Sequence, residues 1–297
     1  MKSQTYHRKK HKIHFLPLIF LLLLAGGAAY YVLCLNRLWA ATPLKCSAKS
    51  EGDLRVATIN IARFSMMKSA RYDAEFLYAA MIKNDVDILV IQEYAELYQF
   101  SFSDFREIFL KDYPYIRRSG EQAIVSRTPF EVEKNEDFDM EYGSYASYAL
   151  KKGKDVMARL VSVHLHTTGL SAMRRSGDPD AVGTAMVMNS NRKVRIYQAD
   201  SITKLISGSD CPVIVAGDFN SMPYSKVYRN IRSAGLQDSF LKKGLGNGST
   251  FRAFKNLLRI DYILPDNNFT VKDHLVCDDP LSDHRMVIST LKLSPEQ

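Results

Sequence analysis

The 297-residue sequence predicts an α/β fold preceded by one N-terminal transmembrane helix. Three observations support this prediction: a long uncharged segment near the N-terminus, a series of short apolar runs typical of buried strands, and helical patterns between several of those runs. Hydrophobic residues make up 46% of the chain and charged residues 24%, which excludes a disordered protein. We divide the chain into a basic tail (1–14), a membrane anchor (15–35), a tether (36–53) and one globular domain (54–297).

The predicted anchor is a run of 21 residues without a formal charge. As a helix with a rise of about 1.5 Å per residue it is about 31 Å long, which matches a hydrocarbon core of about 30 Å. Five basic residues precede it, so the positive-inside rule predicts a cytoplasmic N-terminus and a periplasmic or otherwise extracytoplasmic domain. A signal peptide cleaved near Gly27-Ala28-Ala29 is the alternative, although the apolar run continues to Leu35.

The four cysteines and the net charge each exclude a class of protein. No CxxC pair is present, which argues against a thiolate zinc site, and a disulfide-stapled miniprotein is excluded by the chain length. Cys46 lies in the tether, and its pairing with Cys211 or Cys277 stays open. The net charge of +8 comes from residues 1–49, which hold eight of the 40 basic residues and no acidic one. The remaining 32 basic and 32 acidic residues balance, so the charge is no indication of nucleic-acid binding.

Seven short apolar runs predict strands, and three amphipathic patterns predict helices. The strands are expected at 55–61, 88–91, 123–125, 160–165, 213–216, 260–264 and 286–291, and the helices at 73–83, 193–206 and 225–234. Strands and helices alternate without a linker long enough to divide them. This alternation is typical of an α/β domain with one large core.

Polar residues recur at or just beyond the ends of these predicted strands. A single one of them fits a turn or a cap, but their repetition at strand ends is typical of catalytic groups held on a scaffold. The residues are Asn60, Glu93, His164, Asp218, Asn220, Asp261, Asp283 and His284.

The chemistry of this set predicts metal-assisted phosphoester hydrolysis. Carboxylate and amide oxygens without cysteine favour Mg²⁺ or Mn²⁺ over zinc. Histidine and asparagine can donate hydrogen bonds to a phosphoryl group that gains negative charge, and a further carboxylate can orient or deprotonate water. The sequence contains neither a P-loop nor a serine-hydrolase elbow.

Seven motifs of the chain resemble those of the endonuclease/exonuclease/phosphatase superfamily, whose members include DNase I-like proteins. They are ATINIARF (57–64), DILVIQEY (87–94), AIVSRTPF (123–130), VSVHLH (161–166), PVIVAGDFNSMP (212–223), STFRAF with RIDYILP (249–265) and LSDHRMV (281–287). The resemblance extends from Leu54 to Leu293. It implies a four-layer α-β-β-α sandwich with the active site at one end.

The resemblance also implies a role for each matching residue. Glu93 resembles the principal metal ligand, with Asn60 and Asp283 assisting around a Mg²⁺ or Mn²⁺ ion. Asp218 resembles the residue that aligns or deprotonates the attacking water, and Asn220 would stabilise the transition state.

The histidines of the motifs are implied to contact the scissile phosphate. His284, paired with Asp261, resembles an acid/base or hydrogen-bond donor, and His164 would hold a non-bridging oxygen. His166 lies outside the motif and is expected to support the site or to have no role in it.

The polar, glycine-rich segment 167–193 predicts a loop rather than a core element. Two interpretations stay open. The segment is either a mobile loop over the site, with Arg174 and Arg175 binding a second phosphate, or a solvated insertion.

The sequence leaves two phosphodiester substrates open, a nucleic acid and a phospholipid or sphingolipid headgroup. DNase I-like nucleases carry an arginine two residues after the metal-binding glutamate, where this chain has Ala95. The neutral domain argues against a nuclease, and a membrane anchor favours a lipid headgroup. A catalytically inactive binding or scaffold protein that retains the fold is the alternative from another class. The sequence indicates membrane contact through the anchor and no protein partner.

Overall fold

The computed structural model of the chain describes residues 45–64, 69–137, 143–168, 181–252 and 256–294. The basic tail, the predicted anchor and the pair Arg174 and Arg175 lie outside these residues. Among the helices of the described ranges, none combines the length and the apolar character needed to cross a membrane.

The first sheet has six strands and carries both ends of the described chain. Its strands are β1 (Asp53–Asn60), β2 (Ile88–Gln92), β3 (Tyr115–Ser119), β4 (Gln122–Ser126), β10 (Phe269–Val276) and β11 (Val287–Leu293). Their order is β10-β11-β1-β2-β4-β3, and only β1 and β2 run parallel to each other. The parallel pair places Asn60 opposite Gln92, directly before Glu93.

The second sheet has five strands in the order β5-β6-β7-β8-β9. These are β5 (Phe130–Asp137), β6 (Ser144–Lys152), β7 (Asp155–His164), β8 (Val213–Asp218) and β9 (Asp261–Pro265). Because β7 and β8 are parallel and β8 and β9 antiparallel, His164 lies opposite Asp218, and Asp218 lies opposite Asp261. The register therefore places three predicted site residues in one row across three strands.

Within the described ranges, five helices and one 3-10 turn connect the strands. The helices are α1 (Ala70–Lys83), α2 (Phe102–Phe109), α3 (Ala181–Ile206), α4 (Lys226–Arg232) and α5 (Ser239–Lys243), and the turn is Ala62–Phe64. Polar caps explain where four of them begin, because a side-chain oxygen accepts a hydrogen bond from the first helical turn. These caps are Ser69, Ser101, Ser225 and Asp238.

The buried apolar residues form three clusters that define four layers. Along β1, Ala57 and Ile59 belong to a cluster with α1 and α2, whereas Val56 belongs to the cluster between the two sheets. A third cluster joins the other face of the second sheet to α3 and α4. Alternate strand residues thus face a helix layer and the opposite sheet. The described residues form the predicted α-β-β-α sandwich.

One predicted loop is a helix. Helix α3 begins at Ala181, so the prediction of a loop for 167–193 is wrong from that residue onward. The described side chains Met188 and Arg192 are exposed, so this part of the helix needs no apolar periodicity. Its polar composition reflects an exposed helix rather than a loop.

The C-terminal end of the predicted tether packs on the first sheet. Cys46 is buried, and its backbone N–H donates to Asn84 Oδ1 at 3.2 Å. Ser47 donates to Asp273 Oδ2 through its backbone N–H and its hydroxyl, both at 2.8 Å. Cys46, Cys211 and Cys277 are free thiols in the structure.

Candidate active site

Asn60 and Glu93 leave the first sheet side by side. Asn60 Nδ2 donates to Glu93 Oε1 at 3.0 Å and to Asp218 Oδ2 at 3.2 Å, so it joins the two sheets. Glu93 has a φ of 53°, which is uncommon for a residue with a side chain. Its carbonyl accepts a hydrogen bond from the Arg63 N–H at 3.1 Å, which ties this strained backbone to the 3-10 turn.

A polar link between the sheets lies beside these residues. Thr58 Oγ1 donates to Gln92 Oε1 at 3.1 Å, and Gln92 Nε2 donates to Ser162 Oγ at 3.4 Å. All three side chains are buried. Buried polar groups that satisfy one another in this way fix the relative position of the strands that carry Asn60 and His164.

Asp218 occupies the centre of the site and is fully buried. Its Oδ1 accepts from the Asn220 N–H at 2.7 Å, and its Oδ2 accepts from Asn220 Nδ2 at 3.2 Å. The strand can pass this close to β7 only with a glycine at position 217, because a Cβ there would lie 1.9 Å from the carbonyl oxygen of Val163. Burial and the nearby Asp261 charge raise the pKa of Asp218 to about 6, although two histidines oppose the shift.

His284 is held by Asp261. Its Nδ1 lies 3.0 Å from Asp261 Oδ2, and its Nε2 lies 3.9 Å from Asp218 Oδ2. Burial alone would lower the pKa of His284, but the charges of Asp261 and Asp218 raise it to about 10. Thr250 Oγ1 accepts from the backbone N–H groups of Ile260 and Asp261 at 3.0 and 3.1 Å, which fixes the strand under the pair. The imidazole is therefore a buried cation at neutral pH.

His164 forms a second histidine–carboxylate pair. Its Nδ1 lies 2.7 Å from Glu121 Oε1, and its Nε2 lies 3.6 Å from Glu93 Oε1 and 3.9 Å from Asp218 Oδ2. Burial would lower the pKa of His164, but the hydrogen bond to Glu121 and the charge of Asp218 raise it. The Nε2 atom is buried and has no hydrogen-bond partner among the described residues. An oxygen atom of a ligand would supply the missing partner.

Asp283 borders the same cavity as Glu93, Asp218, Asn220 and His284. This cavity has a volume of about 740 Å³. Ser282 Oγ donates to Asp283 Oδ1 at 3.2 Å. Glu93 and Asp283, predicted from motifs almost 200 residues apart, thus face one cleft.

Four arginine and lysine side chains line the same cavity as the acidic residues. They are Arg63, Arg192, Arg195 and Lys226. Arg195 is buried, and the others are exposed. Carboxylates and cations in one cleft are suited to a metal ion and an anionic substrate together.

The donor set fits a hard divalent cation. Asp218, Asp261 and His284 are the described group whose ligand atoms all lie within 4.8 Å of one another. Asp261 is already hydrogen-bonded to His284, however, whereas the Glu93 side chain is 31% exposed to the cavity. Glu93 and Asp283 are further carboxylates that border the cavity, and carboxylate oxygens suit a hard divalent cation.

The structure brings the eight strand-end residues of the sequence analysis into one site. His166 follows this row of residues, and its backbone N–H donates to Gln198 Oε1 at 2.9 Å. The sequence does not indicate Glu121, Thr250 or Arg195 as residues of the site. Thr250 lies within the STF motif, but no pattern in the sequence indicated Glu121.

A protein-family model and solved structures both match the chain. The model of the endonuclease/exonuclease/phosphatase family matches residues 57–284. No curated protein matches the chain by sequence.

Three solved structures illustrate the structural similarity. An endonuclease/exonuclease/phosphatase from Beutenbergia cavernae DSM 12333 is 19% identical with a TM-score of 0.60, over 82% of this chain and 72% of that one. The mannosyl-6-phosphatase of Bacteroides thetaiotaomicron VPI-5482 is 21% identical with a TM-score of 0.58, over 80% and 99%. Sphingomyelinase C from Streptomyces griseocarneus is 16% identical with a TM-score of 0.54, over 80% and 99%. At these identities the likeness concerns the fold.

Proposed function

The chain belongs to the endonuclease/exonuclease/phosphatase family, and from this membership we propose that it is a divalent-metal-dependent phosphoesterase. The proposed reaction is hydrolysis of a phosphodiester by in-line attack of water. The observation that carries the proposal is the convergence of two histidine–carboxylate pairs on Asp218, beside carboxylates that fit a divalent ion.

Asp218 is proposed to orient and deprotonate the attacking water. With a pKa of about 6 it is a carboxylate at neutral pH, yet it is a stronger base than an ordinary aspartate. Two hydrogen bonds from Asn220 fix the direction of its oxygens. A fixed base of matched pKa is what water activation requires.

The histidines are proposed to stabilise the charge that develops on the phosphoryl group. His284 is cationic and buried, and Asp261 binds its Nδ1, so its Nε2 remains to donate toward the substrate. His164 Nε2 is the second donor, since it is buried and has no partner in the described structure. Donors that are fixed before the substrate arrives need no reorganisation during the reaction.

Glu93, Asn60 and Asp283 are proposed to hold the divalent ion. When bound, Mg²⁺ or Mn²⁺ would polarise a phosphoryl oxygen and neutralise part of its charge. The Asn60–Glu93 hydrogen bond of 3.0 Å already positions the glutamate toward the cavity.

The substrate is proposed to be a phosphodiester, either a nucleic acid or a lipid headgroup at a membrane. The names of similar structures include a sphingomyelinase and a sugar phosphatase, both of which cleave phosphoesters. The predicted anchor at residues 15–35 supports a membrane-tethered enzyme with an extracytoplasmic domain. A fusion of alkaline phosphatase after Gln297 tests this topology, because the fused enzyme is expected to be active only if that end is exported.

Hydrolysis of bis(p-nitrophenyl) phosphate by the purified full chain tests the proposed activity. We expect turnover with Mg²⁺ or Mn²⁺, none in EDTA, and a loss of at least about 10²-fold in Asp218→Asn. Asp155→Asn is the matched control, since Asp155 is exposed at the opposite end of β7 from His164. If neither this ester nor plasmid DNA nor phospholipid vesicles are hydrolysed, the inactive-scaffold alternative is favoured.

A further inference from the structure

Arg195 is a buried cation that no carboxylate of the described residues contacts directly. The residue lies on α3, is 6% exposed and forms no ion pair with a carboxylate of the described residues. Burying a charge is costly unless an opposite charge compensates it. Desolvation lowers the pKa of Arg195 to about 10, although the charge of Asp218 opposes the shift, so the guanidinium remains protonated at neutral pH.

The guanidinium is held rigidly and keeps one side free. Its Nε donates to Ser221 Oγ at 3.1 Å, and its Nη1 donates to the carbonyl oxygens of His166 at 3.2 Å and Thr167 at 3.1 Å. These bonds use three of its five N–H groups. The two N–H groups of Nη2 have no partner in the described part of the chain, and the side chain lines the catalytic cavity.

The position of Arg195 connects it to the proposed catalytic groups. Ser221 directly follows Asn220, and His166 lies two residues after His164. The guanidinium therefore binds both chain segments that bring these groups to the cavity. Arg192, one turn earlier on α3, lines the cavity as well, so positive charge collects on this side.

We propose that Arg195 binds a second anionic group of the substrate, a phosphate or a carboxylate on one of the esterified alcohols. The N–H groups of Nη2 can donate charge-assisted hydrogen bonds to oxygens of a phosphate or carboxylate, and the anion would bring a negative charge directly to the guanidinium. The preferred substrates are then phosphodiesters with at least two anionic groups. Headgroups that carry a quaternary ammonium are disfavoured, because a cation beside the guanidinium is repelled. The substrate class rests on the proposed function, whereas the anion site does not.

Binding of inorganic phosphate to the metal-free full chain in EDTA tests the anion site by calorimetry. We expect Arg195→Met to weaken phosphate binding by at least about tenfold. Arg195→Lys keeps the charge but loses the planar guanidinium, so we expect it to weaken binding less. Lys193→Gln is the matched control, because it removes a cation from the exposed side of the same helix. The melting temperature of each variant without phosphate reports on its fold, and Arg195→Lys decides if Arg195→Met does not fold.

Unchanged phosphate affinity in the folded Arg195 variants would overturn the proposal, as would an equal loss in His164→Gln. A pair of substrates tests the substrate class, namely the p-nitrophenyl ester of thymidine 5′-phosphate with and without a 3′-phosphate. We expect the 3′-phosphate to lower KM about tenfold in the wild type and not in Arg195→Lys. If the 3′-phosphate still lowers KM about tenfold in Arg195→Lys, the proposed substrate class is overturned. Phosphate binding without hydrolysis of either ester would contradict the proposed function and leave the anion site standing.

Discussion

The two histidine–carboxylate pairs have the same local geometry in different surroundings. In each pair Nδ1 faces a carboxylate, and Nε2 lies 3.9 Å from Asp218 Oδ2. The Asp261 side chain is fully buried within β9, whereas the Glu121 side chain is 32% exposed in the two-residue turn between β3 and β4. The buried charges of Asp261 and Asp218 keep the His284 imidazole protonated, and solvent weakens the electrostatic coupling of the other pair. The two pairs thus share one hydrogen-bond geometry but differ in how firmly their surroundings fix the imidazole.

The largest effect is expected when the buried cation itself is removed. His284→Gln should lower kcat by at least about 10²-fold, because a glutamine amide carries no charge to stabilise the transition state. Steady-state hydrolysis of bis(p-nitrophenyl) phosphate measures the loss, and circular dichroism checks the fold. A kcat within a few-fold of the wild type would remove His284 from the catalytic groups.

A smaller loss is expected when the buried carboxylate is neutralised. Asp261→Asn keeps the shape of the side chain but removes the charge that raises the pKa of His284. We expect a loss in kcat of about ten- to 100-fold, since the imidazole is then less cationic and its orientation less fixed. Full activity in this variant would show that His284 acts without its partner.

Replacing the carboxylate of the His164–Glu121 pair by an amide is expected to lower activity less. Glu121→Gln still presents an acceptor to His164 Nδ1, and the partial exposure of Glu121 lets water replace the lost charge. We predict a loss of about fivefold or less in kcat/KM, measured with the same substrate as for Asp261→Asn. Equal losses in the two variants would show that burial does not distinguish the pairs.

The smallest effect is expected at Asp73, a buried carboxyl outside both pairs. Both Asp73 oxygens are buried without a hydrogen bond to any described residue, beside Ile59, Phe64 and Leu77, and desolvation raises the pKa of Asp73 to about 6. Because the folded state binds this proton more tightly than the unfolded state, with a pKa near 3.8, stability falls as the pH rises from about 4 to 6.

Asp73→Asn removes this titration. We therefore expect the variant to be more stable than the wild type by about 1–2 kcal/mol at pH 8 and nearly equal to it at pH 4. Thermal unfolding at the two pH values measures the difference, with Asp155→Asn as the exposed control. A stability gain that does not depend on pH would contradict the origin proposed here.

The sequence predicted those parts of the fold that are apolar on both faces or carry a motif. Strands β2 and β8 are continuous apolar runs, and the polar residues that follow them were placed correctly at the sheet ends. Strand β6 was missed although seven of its residues are buried, because its serines and alanines do not form an apolar run. Strand β3 was missed because it is an edge strand and partly exposed.

Site residues at strand ends are predictable from the sequence. Residues that reach the site only through the tertiary fold are not. Asp261 and His284 lie in motifs, but Glu121 reaches His164 through the turn of a hairpin, which has no signature in the sequence. Arg195 lies within a predicted helix, where an inward arginine and a solvated one have the same pattern. Burial, which only the structure shows, separates the two.

The position of a bound Mn²⁺ ion tests the central claim most directly. An anomalous-difference map from crystals of the chain soaked in Mn²⁺ should show one peak in the cavity, within about 2.5 Å of a Glu93 carboxylate oxygen, with the hydrogen bond between Asp261 and His284 retained. A peak between Asp261 and His284, or no peak in the cavity at saturating Mn²⁺, would contradict the account.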